Sequence, residues 1–195
     1  MKAISELDRR PVLVAVAGPN GAGKTTFYHA HIAPSALRYV SADILARELD
    51  MDAYAAAKAA DAIRRALLKQ KESFAFETVF SDPVGDKLKF LREAVAAGYT
   101  VVLCFIGLED AGLSEERVAM RVSQGGHDVP TEKLKSRFPR IMANLESAIG
   151  ALPLVYVFDN SDLPSPFRRV AVFRNGRSTQ KLKTTPAWFE ALTLP

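Results

Sequence analysis

A single cysteine is all that this chain of 195 residues contains, so no internal disulfide can staple it. Cys104 lies inside the apolar run from Val101 to Ile106, where a buried, inert thiol is expected, in keeping with a reducing compartment. Histidine is scarce too, at three residues. His127 follows Gly125-Gly126 and precedes Asp128 with no Cys or His cluster around it, so it reads as a turn or hinge residue and not as a metal ligand. Long hydrophobic runs are missing as well. None approaches the roughly 20 residues that span a bilayer, and residues 1–10 carry charges throughout without the apolar segment of an export signal. A cytoplasmic protein with no membrane anchor is expected. Neither sign of charge dominates: 26 basic residues stand against 22 acidic ones, a net charge of +4 that suits a small anionic ligand. A nucleic-acid partner is not expected from so modest an excess. Internal repeats and low-complexity segments are absent.

What is present is ordinary globular material: 48% hydrophobic and 25% charged residues, in a length that suits one domain over residues 1–195. Pro11 to Ala17 reads as a buried parallel strand that ends at glycine. Ser41 caps a helix running toward Lys71, broken near Leu49 to Asp52, with Ile63 and Leu67 on its apolar side. Phe74 to Phe80 is a strand, and Ser81-Asp82-Pro83 is a helix start with proline in the first turn. In that helix Val84, Leu88, Leu91 and Val95 recur at helical spacing, and Gly98 stops it. Thr100 to Leu108 and Leu154 to Phe158 are further strands, with helices over Leu113 to Ser123 and Thr131 to Ile149 between them. Phe167 to Arg174, Asn175-Gly176 and Arg177 to Leu182 form a hairpin, and Thr185-Pro186 opens a last short helix. Strands alternating with helices imply an α/β fold, a mostly parallel sheet covered on both faces, with ligands at the carboxyl ends of the strands.

The most specific signal is Gly18-Pro19-Asn20-Gly21-Ala22-Gly23-Lys24-Thr25, placed after a strand and before a helix. The spacing Gly, four residues, Gly-Lys-Thr is that of a phosphate-binding loop. Its glycines let backbone N–H groups converge on phosphate oxygens, Lys24 bridges the β- and γ-phosphates of a nucleoside triphosphate, and Thr25 ligates magnesium. ATP and Mg²⁺ are therefore the expected ligands.

Arg117 and Arg121 are four residues apart on one predicted helix, and Arg137 and Arg140 three apart on the next. None of the four has Asp or Glu three or four positions away, and like charges at that spacing repel. A triphosphate would compensate them, since guanidinium groups bind phosphate bidentately; a solvated basic face is the plainer reading of any one alone. Asp43, in the first turn of the Ser41-capped helix, is the candidate base. It would accept the proton of an attacking hydroxyl, help hold magnesium through water, or simply favour the helix dipole. Glu77 and Thr78 end a strand where active-site groups gather. Asp159-Asn160-Ser161 ends another, and would cap a helix, line the nucleotide base or make a turn.

These segments together, with Thr26, Ser41-Ala42-Asp43, Phe76-Glu77-Thr78, Ala97-Gly98-Tyr99, Arg117 to Arg121, Gly125 to Pro130 and Asp159-Asn160-Ser161, resemble the zeta-toxin family of P-loop kinases, especially its short chromosomal members. The resemblance implies a P-loop kinase fold with a helical lid over 113–149 and a kinase that phosphorylates the sugar hydroxyl of UDP-N-acetylglucosamine, held inactive by an antitoxin protein. It implies Asp43 as the catalytic Asp, Lys24 as the Walker lysine and Glu77 as a substrate-side carboxylate, with Thr78 beside it. Arg121 and Arg137 are the expected catalytic pair, and Arg117 and Arg140 further contacts. The alternatives are a polynucleotide or other small-molecule kinase, and a non-catalytic nucleotide-dependent binding module or ATPase switch. The pairing of Asp43 with the arginines favours an enzyme.

Overall fold

The computed structural model describes residues 4–124 and 129–194. The chain builds one seven-stranded sheet around β1 (Val12–Ala17), whose six residues are all buried. On one side β1 pairs with β3 (Phe74–Thr78), and on the other with β4 (Thr100–Gly107); both pairs are parallel, with Val14 opposite Ala75 and Val102. Beyond β3 lies β2 (Arg38–Val40), and beyond β4 lies β5 (Leu154–Asp159), again parallel. The sheet ends in the antiparallel hairpin of β6 (Arg168–Arg174) and β7 (Arg177–Lys181), giving the order β2-β3-β1-β4-β5-β6-β7. Asn175 and Gly176 both have positive φ, which a two-residue turn matched to strand twist requires.

The helices are α1 (Lys24–Phe27), continued by a π-helical turn over Tyr28–Ile32, then α2 (Ala42–Glu48), α3 (Ala53–Lys69) and α4 (Asp86–Ala96). After β4 come α5 (Ala111–Ser123) and α6 (Thr131–Ala151), and α7 (Ala187–Glu190) follows the hairpin. Because side chains alternate across a strand, β1 serves two cores. Leu13 and Ala15 pack with Phe74, Phe76, Leu91 and Leu145 under α3, α4 and α6, whereas Val12, Val14 and Val16 pack with Phe27, Ile32, Cys104 and Phe158. Each fully buried Leu or Phe contributes about 1.5–3 kcal/mol of transfer free energy. Among the described residues no helix is long and apolar enough to cross a membrane.

Several sequence expectations change. The short strand β2 went unnoticed, since only Val40 of its three residues is buried. Ile63 lies on the exposed side of α3, where Leu67 alone of the expected pair is buried. Helix α4 begins at Asp86 after Gly85 in the left-handed conformation, not at Ser81-Asp82-Pro83, and β3 stops at Thr78. The segment between them is tied to α6 instead: the Asn144 carboxamide donates to the carbonyls of Phe80 and Asp82, at 2.9 and 3.0 Å. Val84 is consequently outside the helix and exposed. Ser41 and the break before α3 hold as expected, with Asp52 capping α3 through Tyr54 N and Ala55 N. Gly98 closes α4 with the bonds Gly98 N to Val95 O and Tyr99 N to Ala94 O. The expected turn at Gly125-Gly126-His127 lies outside the described residues.

Candidate active site

The loop between β1 and α1 is fastened from three sides. Gly18 passes so close to β4 that a Cβ on it would stand 2.1 Å from the Ile106 carbonyl oxygen, and its φ is +145°. A Cβ on Gly21 (φ +74°) would press on Ser114 and Arg117 of α5 at 3.0 Å. The buried Ser114 hydroxyl donates to Asn20 O at 2.7 Å, and the Asn160 carboxamide, at the end of β5, donates to Ala22 O at 3.0 Å and accepts from Phe167 N. Asn160 thus holds the loop from the far strand, a role more specific than the turn that its sequence context suggests. Asp159 beside it is buried and accepts from Ser161, Trp188 Nε1 and Arg168.

Lys24 opens α1 and donates Nζ to Pro19 O at 2.9 Å. Burial pushes its ammonium below the ordinary lysine value, Glu77 and Asp43 oppose that shift, and Arg121 reinforces it. These four groups therefore share one electrostatic neighbourhood. Glu77, at the carboxyl end of β3, accepts from Thr25 Oγ1 at 2.9 Å and from Ser41 Oγ at 2.7 Å. Tyr39, stacked on Tyr28 with ring centroids 3.7 Å apart, has a phenol whose ionisation is pushed up, first by burial and then by the Glu77 charge. Asp43 stands exposed in the first turn of α2.

Helices α5 and α6 supply the opposite wall. Arg117 donates Nη2 to Ser161 O at 3.0 Å; burial lowers its pKa, and the Asp159 charge opposes this. Glu115 joins the two helices by accepting from Thr131 Oγ1 at 2.8 Å, with Lys135 3.9 Å away. All these elements frame a cavity of about 610 Å³. Lys24, Asp43, Glu77 and Thr78 line it, as do Arg117, Arg121 and Arg137. Asn20, Gly21, Gly23, Thr25 and Thr26 form its loop side, whereas Gly18, Pro19 and Ala22 lie buried behind. Arg140 is exposed and is not among the lining residues. Sequence reasoning missed Arg64, Lys87 and Lys133, which also line the cavity. Arg64 stands three residues from Asp61, so its sequence context reads as a routine intrahelical pair.

Among the described residues no group of three or more His, Cys, Asp or Glu side chains is arranged to hold a metal. The Thr25 hydroxyl and Glu77 carboxylate nevertheless suit magnesium. They are hard oxygen donors 2.9 Å apart, about the separation of adjacent oxygens in an octahedron with 2.0–2.1 Å bonds.

A phosphate-binding loop on a β1-centred parallel sheet, facing arginines from the helices after β4, defines a P-loop kinase fold. A sequence model of the zeta-toxin family matches residues 50–169, and the chain belongs to that family of P-loop kinases. The loop and Asp43 precede the matched segment, whereas Glu77 and the arginines fall inside it. No curated protein sequence matches the chain. Among solved structures, a chain of the AvrRxo1-ORF1:AvrRxo1-ORF2 complex, determined with sulphate ions and with ATP, is similar at 16% identity and a TM-score of 0.58. The similarity covers 91% of this chain and 62% of that one, so the chain spans less than two thirds of its length. The PezAT chromosomal toxin-antitoxin system of Streptococcus pneumoniae is similar at 16% identity and a TM-score of 0.58, over 81% of this chain and 69% of that one. A candidate kinase from Chloroflexus aurantiacus follows at 21% identity and 0.56, over 80% and 91%. At such identities these structures establish the fold.

Proposed function

We propose that this protein is an ATP-dependent kinase, one domain over residues 1–195, that transfers the γ-phosphoryl group to a hydroxyl of a small metabolite, with a UDP-amino sugar such as UDP-N-acetylglucosamine as the acceptor. The observation that carries the reading is the convergence of Lys24, Asp43, Glu77, Arg121 and Arg137 on one cavity beside an intact phosphate loop. A binding module or switch would need the loop but not a base such as Asp43. ATP, seen in the AvrRxo1 complex, is the donor.

In this mechanism the loop amides and Lys24 hold the β- and γ-phosphates, for which Lys24 exchanges its bond to Pro19 O. Thr25 and Glu77 would hold Mg²⁺, which when bound would offset charge on the phosphate oxygens. Asp43 takes the proton from the acceptor hydroxyl as its oxygen bonds to the γ-phosphorus and the bond to the departing ADP breaks. Arg121 and Arg137 stabilise the charge that spreads over the transferring group, with Arg117 holding the phosphate side. Residues 113–149 act as a lid. The Ser114 bond to Asn20 and the packing of Gly21 on Arg117 anchor the start of α5 to the loop, so closure belongs to the end of α5 and the start of α6. A cytoplasmic protein restrained by an antitoxin, as the PezAT system pairs the two, completes the proposal.

The test is to incubate the protein with labelled ATP and magnesium and a panel of UDP-sugars, nucleosides, 5′-hydroxyl oligonucleotides and antibiotics, and to identify products by mass spectrometry. A phosphorylated UDP-sugar is expected. ATP hydrolysis without any phosphorylated acceptor would instead identify a switch.

A further inference from the structure

Arg117 lines the cavity beside the phosphate loop, and its hydrogen-bond partner is a backbone carbonyl and not a carboxylate: Nη2 donates to Ser161 O at 3.0 Å. A carbonyl does not cancel the guanidinium charge and engages few of its N–H donors, so the side chain is oriented yet still able to bind phosphate. The negative charge that this arrangement needs stands one step further back. Asp159, at the end of β5, is 3% exposed, and its charge reaches Arg117, where it opposes the effect of burial. Its oxygens are already engaged. Oδ1 accepts from Ser161 Oγ at 2.6 Å, Ser161 N at 3.3 Å and Trp188 Nε1 at 3.0 Å, and Oδ2 accepts from Arg168 Nη2 at 3.1 Å. A carboxylate bonded on both oxygens gives Arg117 a favourable field without capturing it in a direct ion pair. The two bonds from Ser161 close a turn on Asp159 that fixes the peptide whose carbonyl Arg117 meets.

The fourth donor to Asp159 brings in the end of the chain. Trp188 of α7 is the only tryptophan of the protein and is 6% exposed. Its six-membered ring lies so close to the end of β4 that a Cβ on Gly107 would stand 2.2 Å from it. Gly107 O accepts from Asn160 N at 3.0 Å, and the adjoining Ile106 is the residue on which Gly18 of the phosphate loop rests. Helix α7 is thus keyed to the two strand ends that hold the loop. We propose that Asp159 and Ser161 are positioning residues for the nucleotide, which aim Arg117 at its phosphates, and that Trp188 locks Asp159 in place so that the C-terminal helix completes the nucleotide site. This rests on the kinase reading above and assigns part of its donor site to residues that do not themselves touch the nucleotide. The order of action is Trp188 on Asp159, Asp159 on the Ser161 turn, and the Ser161 carbonyl on Arg117.

The experiment titrates the whole protein with a non-hydrolysable ATP analogue and magnesium by calorimetry, in the parent, Arg117→Met, Ser161→Ala, Ser161→Thr and the double variant Arg117→Met with Ser161→Ala. Arg117→Met is expected to weaken binding about tenfold or more, and Ser161→Ala about threefold to tenfold. Ser161→Thr, which keeps the hydroxyl, should bind at the parent level. The double variant should bind no more weakly than Arg117→Met alone, because Ser161 acts only through that arginine. Trp188→Phe keeps a ring against Gly107 but removes the N–H, and should lower affinity in the same direction as Ser161→Ala. Ser161 lies in a half-exposed turn, so Ser161→Ala keeps the test open if Trp188→Phe fails to fold. Emission from Trp188 should remain that of a buried indole in Ser161→Ala. Losses that multiply in the double variant, parent-level binding in Ser161→Ala, or a red-shifted Trp188 emission in that variant overturns the positioning role, since each would mean that Ser161 serves the fold or nothing at all. Failure of the analogue to bind the parent protein overturns the kinase reading itself, so the two failures are distinct.

Discussion

Two groups of buried charge in this molecule are built differently. At Glu6, which is 3% exposed, each carboxylate oxygen has a donor: Arg174 Nη2 at 2.6 Å on one and the Tyr156 hydroxyl at 2.7 Å on the other. The cluster is complete in itself and ties the start of the chain to β5 and β6. Around the cavity the balance is open. Among the described residues, seven lysine and arginine side chains line it against two carboxylates, Asp43 and Glu77. Lys24 rests on a backbone carbonyl, and Arg64 keeps an unmade hydrogen bond. Charge that is satisfied internally serves stability, and charge left over serves a ligand. Substitutions in the two regions should therefore separate activity from stability.

The largest effects are expected at the lid. Arg121→Ala or Arg137→Ala should lower turnover by about 10³- to 10⁵-fold while changing ATP affinity far less, measured as kcat against the Kd for a non-hydrolysable analogue. Near-parent turnover in both variants would remove the lid arginines from the mechanism. Next comes Asp43→Asn, expected to cut phosphoryl transfer by about 10²- to 10⁴-fold with the thermal midpoint unchanged, since Asp43 is exposed. Parent-like transfer would reduce Asp43 to a residue that favours the start of α2. Lys24→Ala should abolish measurable ATP binding by calorimetry; an unchanged Kd would mean that the loop does not hold the triphosphate.

The parts of this site that sequence alone revealed are local ones. The loop signature, the Ser41 cap that places Asp43, and the strand-end position of Glu77 are each set within a few residues. What stayed hidden depends on pairs far apart in the chain: Ser114 meets Asn20 across 94 positions, and Asn160 meets Ala22 across 138. No periodicity marks such contacts. Arg117, Arg121 and Arg137 line the cavity and Arg140 does not, a distinction the sequence could not draw, because helical spacing fixes which residues share a face and not how much of that face the cavity occupies. Sequence reasoning also passed over Arg64, whose nearby acid seemed to satisfy it. Strands alternating with helices marked the mostly parallel sheet, but not the order of its strands, which long-range pairing sets, and β2 was too short to show.

The smallest effect tests the closed side of the comparison. Burial raises the Glu6 pKa, but the bonds from Arg174 and Tyr156 outweigh it, and the net shift is below the ordinary value of 4.5. A carboxyl group whose folded pKa is depressed stabilises the fold fully at pH above its unfolded value, and that contribution is lost as pH falls through the folded value. Stability of the parent should accordingly decline as the solution is acidified below about pH 4.5. Glu6→Gln removes the titrating group, so the gap between parent and variant should be widest above that pH, at about 1.5–3 kcal/mol for a charge-assisted hydrogen bond, and should close on acidification. Arg174→Met should flatten the same slope, because it takes away the first of the two lowering contacts. Denaturant unfolding from pH 3 to 7 reads both variants, and phosphoryl transfer per folded molecule should stay at the parent level. A stability gap that does not vary with pH would mean that Glu6 matters by shape and not by charge. A loss of transfer in the folded variant would mean that the two regions are coupled, and the division between stabilising and ligand-seeking charge would not hold.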